Sequence, residues 1–317
     1  MHQFQFIVER YLSGVRIDTF LSRHLRNYTT WRLHRMVGAG LVSVDGFRCD
    51  PDYRVYRGQR VTIRLLEPPD KLLPPSDDPV DIIYEDPWLL VVNKPAGLIT
   101  HPVGDYQGGT LVNTLQRVLD RETRAKGLLR PGLVHRLDRM TSGLMVVTKD
   151  HLTHRLLSID FQRGRPSKTY LARIEGSPDF TSRVISLPIG QRAGNDSVLM
   201  SARPDARNAK SARTDVLVLQ RSGNCSLVEC RLHTGRNHQI RVHLADIGYP
   251  VLGDEFYGAE GKIHEAADGD DPASTPQRHA LHASRLGFQH PILQTPLHFT
   301  SAPPADFWAI ASRPQLL

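Results

Sequence analysis

Hydrophobic positions near the start of the chain recur at helical spacing: Ile17, Phe20, Leu21 and Leu25 fall on one side of a 3.6-residue period. Thr30 stands where a helix cap is expected, and Trp31, Met36 and Val37 predict a second short helix that stops at Gly38. The period then shortens. Leu41 to Val44 reads as a strand, Asp45-Gly46 as a hairpin-type turn, and Arg60 to Leu65 as the strand that closes the hairpin. Residues 10–66 thus form a small α/β module. Between Glu67 and Pro79, five prolines (68, 69, 74, 75 and 79) forbid a helix or a central strand, so 67–79 reads as a stiff linker. Beyond it, Val80 to Tyr84 and Leu89 to Val92 predict two strands around Glu85-Asp86-Pro87, and Leu144 to Val147 a third. Asp150 to Phe161, with Leu152, Leu156 and Ile159, predicts an amphipathic helix ending before Gly164. Strand patterns return at Tyr170 to Glu175, Thr214 to Leu219 and Ser226 to Arg231. This irregular mixture predicts an α+β sheet domain over 80–312 rather than a doubly wound one.

The length of 317 residues agrees with two domains and suffices for a large core without disulfides. Charge sharpens the division. Arg10 to Leu66 holds eleven arginines, no lysine and four acids, so the whole net charge of +7 sits there and the rest of the chain is neutral. An arginine-only excess suits bidentate phosphate contacts, and Arg16, Arg32, Arg35 and Arg57 are candidate RNA-binding residues. No apolar run approaches the ~20 residues of a membrane span, and residues 1–10 lack a signal-peptide core, so a cytoplasmic, membrane-free protein is expected. Cys49, Cys225 and Cys230 make no disulfide framework. The acidic, small-residue stretch 258–277 reads as a surface insertion.

Two clusters could carry chemistry. In Gly132 to Gly143, Asp138 is flanked by Arg136 and Arg139 and followed by Thr141-Ser142-Gly143, so nearby cations and donors favour its ionised form. Charge and spacing alone describe a turn-capping aspartate as well as a nucleophile. In His233 to His243, three histidines five apart fit neither helical metal ligation nor a zinc knuckle, so no metal is expected. Arg236, His238, Gln239 and Arg241 could instead grip phosphates or neutralise an acid. Walker, Rossmann and nucleophile-elbow motifs do not occur.

Five motifs in order, His135-Arg-Leu-Asp138 with Thr141-Ser-Gly143, Lys168-Thr-Tyr170, Thr234 to Arg241, Leu252 to Gly258, and Leu281-His-Ala283 with His290-Pro291, resemble those of the RluA-type RNA pseudouridine synthases. The resemblance spans roughly 80–309 and implies a mixed, largely antiparallel catalytic sheet. The leading module resembles the small RNA-binding domain first described in ribosomal protein S-four. Where that domain usually has a Ser-Arg pair at its second helix, this chain has Asn27 to Trp31; Arg139-Met140 replaces a commoner Lys-Asp pair.

By resemblance, Asp138 is the catalytic aspartate that attacks the target uridine, Tyr170 packs against the base and handles the proton at the new carbon linkage, and Arg241 pairs with Asp138. Arg136 helps to displace the extruded base. No cofactor is implied, because the isomerisation is redox-neutral and its nucleophile is a side chain. The implied partner is RNA, ribosomal RNA of the large subunit first and transfer RNA as the alternative, acted on by a monomer. A non-catalytic RNA-binding protein on the same fold is the rival from another class. A hydrolase using Asp138 is disfavoured because the sequence shows no second carboxylate positioned for acid-base work.

Overall fold

The computed structural model describes residues 2–25, 28–65, 75–102, 108–122, 131–193, 199–261 and 278–310. Most of the proline stretch (66–74) and of the acidic insertion (262–277) lies outside the described residues.

The leading module is a four-stranded antiparallel sheet with two helices. Its strands β1 (His2–Ile7), β2 (Val42–Val44), β3 (Phe47–Arg48) and β4 (Arg60–Leu65) lie in the order β1-β4-β2-β3, and α1 (Ile17–His24) and α2 (Thr30–Gly38) complete it. The sheet begins earlier than the sequence reading at residue 10, because β1 pairs along its length with β4. Asp45 and Gly46 both take positive φ, as a tight hairpin turn requires, yet they join β2 to the short β3; β4 pairs on the other side of β2. Thr29, not Thr30, caps α2: its backbone is extended and its hydroxyl accepts from the Arg32 amide at 3.3 Å. The buried stripe of α2 is Leu33, Met36 and Val37, while Trp31, five residues before Met36, points away and is 70% exposed. Asp18 is buried between the helices and accepts from Arg16 at 2.7 Å and from the His34 ring at 3.1 Å.

The second unit is built on a ten-stranded sheet. β5 (Asp81–Glu85), β6 (Leu89–Lys94), β7 (Gly132–Leu133), β8 (Ser142–Thr148), β9 (Ser167–Glu175), β10 (Ser182–Ile185), β14 (Thr214–Ser222), β15 (Cys225–Leu232), β16 (Leu281–Gln289) and β17 (Pro296–Thr300) form it. A small sheet of β11 (Ile189–Gln191), β12 (Met200–Ser201) and β13 (Arg207–Lys210) stands beside this path. The main path runs β10-β14-β15-β9-β16-β8-β6-β5, with β7 on β8 and β17 on β16. Every pairing is antiparallel except β16 with β8.

Alternation along β6 and β8 divides two cores. Leu90, Val92, Met145 and Val147 share one with Leu111 and Leu115 of α3 (Leu111–Glu122) and with Ile240 and Leu244 of α5 (Gln239–Asp246). Leu89, Val91, Leu144 and Val146 pack with Leu157 of α4 (His151–Gln162) in the other. Strands covered on both faces read as unbroken apolar runs, as Leu89 to Val92 does. Asp150 caps α4 through the amides of Leu152 and Thr153. A short α6 (Ala305–Ala309) adds the buried Phe307.

Candidate active site

Three segments converge beside the central strands. Asp138 lies in the loop between β7 and β8, Tyr170 points inward from β9, and Arg241 rises from the first turn of α5. With Leu137, Thr141, Leu232 and His238 they line a small cavity of about 60 Å³. It adjoins a groove of about 540 Å³ that shares Arg136, Asp138, Tyr170, Leu232 and Arg236 and continues past Lys168, Arg163 and Thr234. The three residues that the sequence resemblance brings into one chemical unit are thus neighbours.

Arg241 is 2% exposed and serves two carboxylates. Its Nε and one Nη donate to Asp254 at 2.6 and 2.7 Å, and the other Nη donates to Asp138 at 3.3 Å. The bidentate partner is therefore Asp254, a residue to which the sequence assigned no role although it sits in the Leu252 to Gly258 motif. Asp254 also accepts from the amides of Phe256 and Tyr257, and the guanidinium packs over the Tyr257 and Phe256 rings. A second positioned carboxylate thus exists, contrary to the sequence reading, but four donors lock it in place. Burial alone would push the Asp138 carboxyl up; the His238, Arg241 and His279 side chains and the Arg241 hydrogen bond outweigh it and hold Asp138 below the usual carboxylate range.

His238 precedes α5 in a left-handed backbone conformation, φ 55°, which is strained for a residue with a Cβ. The Tyr257 hydroxyl accepts from the Met200 amide at 3.0 Å, so its proton is available to the His238 Nδ1, 2.6 Å away. That leaves the His238 Nε2 proton aimed at Asp138, 4.0 Å off. Burial keeps this ring below its usual pKa, against the pull of Asp138. Tyr170 is pushed up by burial and by Asp138, and remains a neutral phenol.

The loop that carries Asp138 is braced from behind. Lys94, wholly buried at the end of β6, donates to the carbonyls of Pro95, Leu98 and Arg139 at 2.8 to 3.1 Å. Thr100 donates to the Leu137 carbonyl at 2.8 Å, so the backbone on both sides of Asp138 is fixed. Three carbonyls call for the ammonium form, although burial pushes Lys94 down to about 7. Thr141 meets the His279 ring at 2.8 Å; burial and Arg241 bring that ring down to about 3, so it is neutral. Lys94 escaped the sequence reading, though a lysine soon after the apolar run Leu89 to Val92 and just before Pro95 was a visible signal.

The candidate RNA-binding side chains divide. Arg136 is exposed at the mouth of the cavity, and Arg236 borders the groove with its Nε bonded to the Ser211 carbonyl. Gln239 faces inward instead. Its amide oxygen accepts from Thr234 and the Arg236 amide and its nitrogen donates to Arg213 and Thr214, so all four positions are taken inside the protein. In the leading module Arg16 is tied to Asp18 and Asp52, Arg32 and Arg35 stack over Tyr28 and Trp31, and Arg57 is exposed.

An ionised aspartate held by a shared arginine, beside a buried neutral tyrosine in an open groove with basic walls, marks an enzyme that takes a polyanionic substrate. The chain belongs to the RNA pseudouridylate synthase family: the family's model matches residues 88–246. It is 35% identical to an uncharacterized RNA pseudouridine synthase, YlyB, of Bacillus subtilis over 96% of both chains. It is 36% identical to ribosomal large subunit pseudouridine synthase D of Zymomonas mobilis over 92% of both. Among solved structures, human RNA pseudouridylate synthase domain containing 1 superposes with a TM-score of 0.55 at 26% identity, over 74% of this chain and 87% of the other. The protein is a pseudouridine synthase with the mixed, largely antiparallel fold of those structures. Among the described residues no helix is long and apolar enough to cross a membrane.

Proposed function

We propose that this enzyme isomerises uridines of large-subunit ribosomal RNA, with Asp138 as nucleophile. The observation that supports this reading best is the junction of Asp138, Tyr170 and Arg241 around one cavity, with Asp138 kept ionised. The target uridine leaves its stack, at a cost of a few kcal/mol, and enters beside Asp138 and Tyr170. Attack by the carboxylate breaks the bond between ribose and ring nitrogen; the base turns and rejoins the ribose through a ring carbon, the bond to Asp138 breaks again, and the proton on that carbon passes to the freed ring nitrogen. One carbon–nitrogen bond breaks, one carbon–carbon bond forms and no electrons are gained or lost. In this reading Tyr170 relays that proton. Arg241, anchored by Asp254, keeps Asp138 aimed without neutralising it. Arg136, Arg236 and His238, with Arg32, Arg35 and Arg57 of the leading module, hold the strand; that module acts as an S-four-type RNA-binding domain. Large-subunit ribosomal RNA is favoured because two relatives, in Zymomonas mobilis and Xanthomonas campestris, carry that substrate in their names.

Mapping pseudouridines in total RNA with and without the gene tests the substrate: loss of a site in large-subunit RNA is expected, and loss confined to transfer RNA would replace that substrate. Asp138→Asn is expected to abolish pseudouridine formation while RNA binding persists. Equal loss of binding would make Asp138 a structural residue.

A further inference from the structure

The inward-facing side chains of β9 are Lys168, Tyr170, Ala172 and Ile174. Alternation asks for an apolar residue at the first of these positions, and the chain supplies a lysine that is 8% exposed. Its ammonium lies over the Phe161 ring, 5.8 Å from the centroid, and 3.6 Å from where a Cβ on Gly235 would stand. Among the described residues it has no carboxylate partner and no hydrogen-bond acceptor. Asp138, the acid lining the same groove among those residues, is engaged by Arg241. Burial and the nearby Arg236 both disfavour the charge on Lys168. The stem of Lys168 is buried while its ammonium opens onto the groove, and the neighbouring Arg236 makes its unpaired charge costly in the free protein.

We infer that Lys168 is the anchor for a phosphodiester group of the bound RNA strand, next to the nucleotide whose base occupies the Asp138 cavity. This rests on the proposed function and names the contact that would seat the strand. Lys168 and Tyr170 are two residues apart on one face of a strand, so their Cα atoms are about 6.6 Å apart, within the span of one nucleotide. The Phe161 ring beneath the ammonium is itself stacked on His135 at 4.6 Å, and His135 accepts from the Val146 amide through Nε2. The floor of the site is therefore rigid and uncharged, and an anion that approaches the ammonium meets no competing charge from it.

The test uses the full chain as wild type, Lys168→Met and Lys168→Arg, with total RNA from cells lacking the gene. Wild-type pseudouridine formation on that RNA checks the proposed function by itself; if it fails, binding of the same RNA still reads the Lys168 contact. Lys168→Met is expected to raise KM, or Kd, about tenfold, the worth of one charge-assisted hydrogen bond, with kcat changed less than twofold. The slope of log affinity against log salt should flatten by about 0.7, one single-strand phosphate contact. Lys168→Arg should keep the slope. The melting temperature of RNA-free Lys168→Met should rise, because a partly desolvated, unpaired charge beside Arg236 has been removed. An unchanged slope, a loss in kcat alone, or a lower melting temperature would each overturn the assignment.

Discussion

At the scale of single residues, the site turns on one guanidinium shared between two carboxylates that have different jobs. Asp254 takes the bidentate face of Arg241 and two backbone amides, so its charge is satisfied and static. Asp138 takes the third, longer contact on one oxygen, and its other oxygen, 4.0 Å from the His238 Nε2, accepts no hydrogen bond among the described residues and is open for chemistry. Removing Asp254's charge should therefore injure the fold and the aim of Asp138 together. Asp254→Asn leaves Arg241 buried with one partner, and a loss of about 3 to 5 kcal/mol of stability is expected, measured by denaturant unfolding. The pH dependence follows in sign. Both carboxyls are held below their ordinary range, so their contribution to stability is complete above the unfolded value of about 3.9 and is lost as pH falls through the folded values. The acid limb of the stability curve should be shallower in Asp254→Asn than in wild type, and an unchanged limb would show that the ion pair does not govern it. Asp254 and Glu255 are adjacent acids in the sequence, and nothing in composition separates them; only burial against α5 shows which one meets Arg241.

At the scale of elements, what could be read from the sequence depended on a clear apolar pattern. Alternation marks β14 and β15, and unbroken apolar runs mark β6 and β8, so these strands follow the reading closely, as do α1, α2 and α4 with their helical spacing. α5 was hidden because its first turn carries polar groups that belong to the site, and seven of its residues are buried, so it has no polar face to complete an amphipathic pattern. α3 shows Leu111, Leu115 and Leu119 at four-residue spacing, a signal present but unread. The Thr141-Ser142-Gly143 segment carries a requirement that only the assembled sheet explains. Gly143 has φ 117° and lies where β8 runs parallel to β16, so a Cβ there would stand 2.6 Å from the Ala283 nitrogen and closer still to its oxygen. This approach sets the start of β8 against β16, immediately after the Asp138 loop. Gly143→Ala should lower the unfolding free energy by well over the ~1 kcal/mol of an ordinary substitution, read by denaturant unfolding, and reduce kcat as the loop shifts. A variant of unchanged stability and activity would show that the strands can separate without cost.

At the scale of the whole molecule, the two units share no core residue: the leading unit's core gathers side chains from Phe4 to Leu65, and those of the second unit lie from Val80 onward. The charge follows the same division, with the +7 confined to Arg10 to Leu66. The proposed function gives the two units different work. In that proposal the unit that is neutral overall holds RNA by the local placement of Arg136, Lys168 and Arg236 near the cavity, whereas the one rich in arginine adds affinity over many phosphates without choosing among uridines. Not all of that excess faces outward, since Arg16 is occupied by Asp18 and Asp52. The number of phosphates bound should therefore be smaller than the number of arginines. Deleting residues 1–66 tests this division. Because the remaining unit keeps its own core, it should fold and retain kcat at saturating RNA. Its KM should rise, and the slope of log KM against log salt should flatten by about 0.7 for each phosphate that the arginines no longer neutralise. A flattening of about two or more would make the leading module a multi-phosphate clamp. An unchanged slope, with KM raised or not, would mean that its arginines do not touch the RNA, and that the positive groups around Asp138 carry the electrostatics of binding alone.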